Sequence, residues 1–185
     1  MPGYYVENFG CRATQADGAA LERQFEECGL ARATAPARAA VVVLNTCTVT
    51  SSADQDARAA VRRVRRLNPE AKIVVTGCYA QRVPEEVAAL PGVSVVVGNS
   101  HKHELAQIVL RKMQSPKPID RSFLPLQSLI AKPEPASEDL IFVSDIFAHT
   151  ELIAAPVFDA PNERTRPNLK VQDGCDNRCS FCVIP

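Results

Sequence analysis

No stretch of this sequence approaches the ~18 consecutive apolar residues of a membrane-spanning helix. The N-terminal MPGYYVENFG has neither the basic start nor the apolar run of a secretory signal. Together these absences point to a soluble, cytoplasmic protein with no membrane partner. Charge of one sign is missing as well: 21 Lys and Arg face 21 Asp and Glu, a formal net charge of +0. Such balance argues against nucleic-acid binding by bulk electrostatics. There is no internal repeat, and histidine is scarce: His101, His103 and His149 are the whole complement. They form no ligand pattern with the cysteines and read as surface or capping residues.

What the chain has is cysteine, seven in 185 residues. Without a secretory signal, and with an odd count, they read as reduced thiols kept for metal or catalysis rather than as a disulfide framework. The most specific pattern is Cys175, Cys179 and Cys182 in DGCDNRCSFCVIP, a CxxxCxxC array. Three thiolates at this spacing can hold three irons of a cubane cluster and leave the fourth iron open, whereas a closed structural site takes four ligands. A structural zinc site short of one ligand is the plain alternative.

The composition, 46% hydrophobic, suffices for one globular core with an appended segment. Up to residue 113, β-branched runs alternate with alanine- and charge-rich segments, the pattern of an α/β domain around a parallel sheet. Strands are expected at 4–9, 41–44, 73–76 and 94–97, and helices at 15–28, 52–68, 84–90 and 101–112. Thr14 with Asp17, and Ser52 with Gln55, have capping-box spacing at the first two helix starts. Ala57, Ala60, Val61, Val64 and Leu67 give the second helix a buried face, and Cys28 falls in register with Leu21 and Phe25 on that of the first. Residues 114–167 are proline-rich and read as a connector with one short strand at 140–143. A last strand at 169–172 leads into the cysteine array.

On this scaffold Cys11, Cys47 and Cys78 each follow a strand. In a parallel sheet such loops emerge together at the carboxyl edge, where open α/β folds place their ligands. Helix N-termini there favour thiolate over thiol. Gly10 and Gly77, each directly before a cysteine, allow tight turns and close approach. Taken singly, each cysteine reads as an inert core residue; on three strand ends together they read as metal ligands. The arginines Arg58, Arg62, Arg63, Arg65 and Arg66 crowd one helix and read either as a solvated face or as an RNA-backbone contact.

The terminal array, with Phe181 before its third cysteine, resembles the cluster motif of the radical S-adenosylmethionine (radical SAM) enzymes. Together with FGC at 9–11, NTCTVTSSAD at 45–54 and TGCYAQR at 76–82, the chain resembles the methylthiotransferase branch of that superfamily. NTCTVT looks most like the subgroup acting on N6-threonylcarbamoyladenosine in tRNA. Arg12, Ala13 and Thr14 depart from that pattern, standing where these proteins commonly carry a stretch ending in asparagine.

The resemblance implies a flavodoxin- or Rossmann-like domain over 1–113, a linker over 114–167 and the start of a radical SAM barrel over 168–185. It also implies two 4Fe–4S clusters, one auxiliary on Cys11, Cys47 and Cys78 and one binding S-adenosylmethionine on Cys175, Cys179 and Cys182. The chemistry implied is a 5′-deoxyadenosyl radical at C2 of an adenine, with tRNA and an electron donor as partners. Such enzymes continue past the array, so the chain reads as an N-terminal portion, inactive alone, with the array in an exposed tail. A ribosomal-protein methylthiotransferase, or a non-catalytic iron–sulfur or zinc module, remains open at this point.

Overall fold

The computed structural model describes residues 3–10, 12–48, 51–114, 140–146, 172, 175, 179 and 180. Its centre is a six-stranded parallel sheet in the order β2-β1-β3-β4-β5-β6. The strands are β1 (Gly3–Asn8), β2 (Ala31–Arg32), β3 (Val41–Thr46), β4 (Lys72–Gly77), β5 (Val93–Val97) and β6 (Ile141–Phe142). The helices are α1 (Arg12–Glu27), α2 (Ser51–Leu67), α3 (Cys78–Arg82), α4 (Pro84–Ala88) and α5 (Leu105–Gln114). No helix of the described residues is long and apolar enough to cross a membrane.

The β-branched runs are uninterrupted because both faces of the sheet are covered. Val41 and Val43 point to one core with Leu21, Phe25 and Ile108, so α1 and α5 lie on that face. Val42 and Leu44 point to the other, with Val61, Val64 and Val87 from α2 and α4. Tyr4 is fully buried, stacks on Phe25 at 5.1 Å between ring centroids, and donates its hydroxyl to Glu26 at 3.0 Å. The expected α/β architecture is therefore the observed one, with strand bounds moved by a residue or two.

Several local expectations are corrected. Cys28 is exposed rather than packed on the face of α1. The helix ends one residue earlier, and Gly29, at φ 81°, turns the chain. Gly29 N–H donates to Glu26 O (2.9 Å) and Leu30 N–H to Phe25 O (3.0 Å), the paired closing bonds of a Schellman turn. Leu30 then takes the core place beside Phe25. Leu67 is 55% exposed, because the buried stripe of α2 runs on to Asn68. The Asn68 amide donates to the carbonyls of Pro36, Ala37 and Ala39 at 3.1, 3.3 and 2.9 Å.

Thr14 does not cap α1, which begins at Arg12; its hydroxyl donates to Phe9 O at 3.0 Å. Asp17, its expected capping partner, instead pairs with buried Lys102 at 2.8 Å across to the 3-10 segment Asn99–Glu104. That segment occupies the start of the helix expected from residue 101. The short elements β2 and α3 carry no periodic signal and were not expected. Of the strand expected at 169–172 only Gln172 is described, outside any strand, and the rest lies outside the described residues.

Glu22 on α1 pairs with Arg32 of β2 at 3.2 Å. Burial raises its pKa above the usual 4.5, outweighing the lowering by Arg32, and Glu26 adds to the rise. The folded state then holds this proton more tightly than the unfolded state. Stability is lost as pH rises from 4.5 through the folded value and is not regained above it. Glu22→Gln is expected to flatten that decline and to change stability at neutral pH by less than about 1 kcal/mol. Urea midpoints at pH 4 and pH 7 check this; a steeper decline in the variant would contradict it.

Candidate functional site

Strand register brings four strand ends level. Asn8 pairs with Asn45, Asn45 with Thr76, and Thr76 with Val97. The reversal of strand order between β1 and β3 makes this carboxyl edge the crevice where open parallel sheets bind ligands. Thr46 and Gly77 are direct partners, so Cys47 and Cys78 each stand one residue beyond a paired position on adjacent strands. Cys47 is 1% exposed and Cys78 half-buried, and neither is in a disulfide.

The glycines act as the sequence suggested. Gly10 has φ 95° and lies against Cys47, so a Cβ on it would overlap Cys47 Cβ and lie 2.9 Å from Sγ. Only glycine lets the chain carrying residue 11 pass this close. Gly77 has φ 98° and ψ −164°, and directs the chain out of β4 into Cys78. Cys78 is the first residue of α3 rather than part of a loop. With five residues, α3 is too short for its dipole to supply the thiolate stabilisation expected there.

A polar floor ties the strand ends together. The Asn45 amide donates to Asn8 Oδ1 (3.0 Å) and Thr14 O (2.7 Å), and the Thr46 hydroxyl to Thr76 O (2.6 Å). Among the described residues, Asn45 Oδ1, Thr48 Oγ1, Thr76 Oγ1 and Asn99 Oδ1 are buried without a hydrogen-bond partner. Asn99, one residue beyond Gly98 at the end of β5, donates its amide to Cys78 Sγ at 3.8 Å.

The helix α3 is pinned from both sides. Its buried Tyr79 donates to Glu86 (2.9 Å) and accepts from Arg58 Nε (2.7 Å), while Arg58 and Arg82 flank the ring. Burial, with the Glu86 hydrogen bond second, raises the Tyr79 pKa, so this hydroxyl remains a donor throughout the neutral range. Arg82 also pairs with Asp54 of α2. On the other side Gln81 donates to Ser144 O at 3.0 Å and accepts from Ser100 N–H at 3.3 Å.

Other candidates are less engaged with this edge. Arg58 is committed to Tyr79 and Glu86, and Arg63 reaches Glu7 at 2.5 and 2.6 Å, so the arginine face is partly neutralised. Arg62, Arg65 and Arg66 are exposed. His101 bonds to Ser100 Oγ at 3.1 Å and His103 lies 3.0 Å from Glu104, while His149 lies outside the described residues. Cys175 is half-buried and Cys179 exposed, whereas Cys11 and Cys182 lie outside the described residues. Among the described residues no group of three or more His, Cys, Asp or Glu is gathered. Asn99 carries no motif of its own in the sequence; its one signal is its place after β5, equivalent to that of the cysteines after the other strands.

Residues 3–98 match the model of the Uncharacterized protein family UPF0004. The chain belongs to this family. It is 35% identical over 178 residues to a threonylcarbamoyladenosine tRNA methylthiotransferase MtaB of Bacillus subtilis (strain 168), covering 95% of this chain and 34% of that protein. To the MtaB of Aquifex aeolicus (strain VF5) it is 38% identical over 181 residues, covering 97% and 38% respectively. A tRNA-2-methylthio-N(6)-dimethylallyladenosine synthase of Anaplasma marginale (strain St. Maries) is 31% identical over 185 residues, covering 99% and 36%. The chain thus spans 34–38% of the length of these curated relatives. The methylthiotransferase resemblance of the motifs is borne out.

Proposed function

We propose that this chain is the N-terminal part of a cytoplasmic tRNA methylthiotransferase acting at C2 of an adenosine beside the anticodon, N6-threonylcarbamoyladenosine by preference. In this reading residues 1–113 form the auxiliary-cluster domain, 114–167 a linker and 168–185 the start of the radical SAM domain. The observation that carries the reading is the pairing of Thr46 with Gly77, which brings Cys47 and Cys78 to equivalent positions one residue beyond adjacent strands. Gly10, bonded to Cys11, lies against Cys47.

The residues present fit an iron–sulfur cluster. The thiols are unbridged, the Asn99 amide already donates to one sulfur, and no side chain on Gly10 intrudes. The unpartnered hydroxyls of Thr48 and Thr76 are further donors at the same edge. Cys11, Cys47 and Cys78 would hold the auxiliary 4Fe–4S cluster, and Cys175, Cys179 and Cys182 the one that takes S-adenosylmethionine. When bound, the clusters would supply the reducing electron and the sulfur site, with reduction coming from a separate electron donor. The chain's own part is to fix the ligands. Pinning of α3 by Arg58, Glu86 and Gln81 holds Cys78, and the Asn45 brace ties the end of β3 to the start of α1.

Deleting the complete gene and analysing bulk tRNA nucleosides by mass tests this. Loss of the methylthio group from N6-threonylcarbamoyladenosine, with the unmodified parent nucleoside accumulating, is the expected result. Loss from N6-dimethylallyladenosine instead would move the substrate while keeping the reaction. An unchanged nucleoside profile would overturn the proposal.

A further inference from the structure

Asn99 begins the 3-10 segment after β5, and among the described residues the sulfur of Cys78 is the one partner of its side chain, at 3.8 Å. Its carbonyl oxygen is buried and returns no hydrogen bond. The donor end of this buried amide is therefore the end that meets the sulfur.

The backbone on both sides of this contact is fixed independently. Gly98 N–H donates to Phe142 O at 2.8 Å, and Ser144 N–H to Ser100 Oγ at 3.0 Å. Ser100 N–H in turn donates to Gln81 Oε1 at 3.3 Å. Gln81 stands three residues after Cys78 in α3, so one short helix both presents the thiol and grips the residue beside Asn99. The amide and the sulfur are therefore held together from two directions.

We propose that Asn99 is a positioning residue for Cys78: its N–H···S hydrogen bond orients the sulfur and raises the reduction potential of the cluster that Cys78 ligates. The inference rests on the auxiliary-cluster reading above. Donors to ligand sulfur favour the more negatively charged reduced state, and outer hydrogen bonds of this kind fix ligand orientation.

The test uses the full-length protein with Cys175, Cys179 and Cys182 all replaced by alanine, so that only the auxiliary cluster reports. After anaerobic reconstitution, iron is counted and the midpoint read by a redox titration followed by electron paramagnetic resonance. Asn99→Ala is expected to bind as much iron as the parent and to shift the oxidised-to-reduced ratio about tenfold toward oxidised. For a one-electron couple this is a midpoint ~59 mV lower. Asn99→Gln keeps an amide donor and is expected to recover most of the shift. Cys28→Ala, at an exposed position beyond the far end of α1, is expected to keep the parent midpoint. Full iron with an unshifted midpoint in Asn99→Ala overturns the role of Asn99 and leaves the cluster reading standing, as does a Gln variant no closer to the parent than the Ala variant. A parent that takes up no iron overturns the cluster reading and this inference together.

Discussion

Gly77→Ala is expected to cost ~2–6 kcal/mol of stability, a large part of the ~5–15 kcal/mol that holds a domain folded. Two separate causes add. At φ 98° and ψ −164° the backbone lies in a region that side chains with a Cβ avoid, at ~1–3 kcal/mol. A Cβ there would also overlap Thr46 O and sit 2.8 Å from Thr46 N. Those atoms belong to the backbone of the paired strand, which has no rotamer to escape into, so crowding adds ~1–3 kcal/mol. Gly29 separates the two causes. Its φ is also positive, at 81°, but nothing lies within 4 Å of an added Cβ. Gly29→Ala is therefore expected to cost only ~1–2 kcal/mol, the dihedral part alone. Urea denaturation followed by circular dichroism measures both, and equal losses in the two variants would show that the Thr46 contact contributes nothing. Gly77 also aims Cys78, so the surviving folded fraction of Gly77→Ala should bind iron poorly.

The strands were legible because a sheet covered on both faces asks for runs such as VVVL that few other local structures use. The placement of Cys47 and Cys78 was legible because each follows such a run, and parallel topology carries the ends of sequence-distant strands to one edge. What local reading missed was decided by distant partners. Thr14 and Asp17 have capping-box spacing, yet Asp17 lies 2.8 Å from Lys102, a contact 85 residues away. Cys28 has the helical register of Leu21 and Phe25, yet Gly29 ends the helix and hands the core position to Leu30. The glycine in CGL was the sign, and helical periodicity outweighed it. Leu67 lost its place to Asn68, whose amide answers three carbonyls near residue 38 that no window around residue 67 contains. The helix α3 escaped because five residues give less than two turns, too few for a period to be visible.

In the anaerobically reconstituted full-length protein, Cys47→Ala and Cys78→Ala are each expected to remove about half of the bound iron, leaving the cluster on the second cysteine array intact. The loss should be whole rather than graded. A cubane held, as proposed, by only three protein thiolates would not keep its irons on two, and the double variant should bind no less iron than either single one. Such non-additivity is the signature of residues acting as one unit. Neither substitution should unfold the chain, since both replace one small apolar group by a smaller one in a sheet held by neighbours that remain. Unchanged circular dichroism would separate ligand loss from collapse. Cys28→Ala supplies the contrast, because Cys28 is exposed at the far end of α1 and its removal should leave iron untouched. Iron that stays at the parent level in both Cys47→Ala and Cys78→Ala would remove the auxiliary site from this edge of the sheet. Graded, additive losses would point instead to separate weak metal sites, which would bind iron without presenting a cluster.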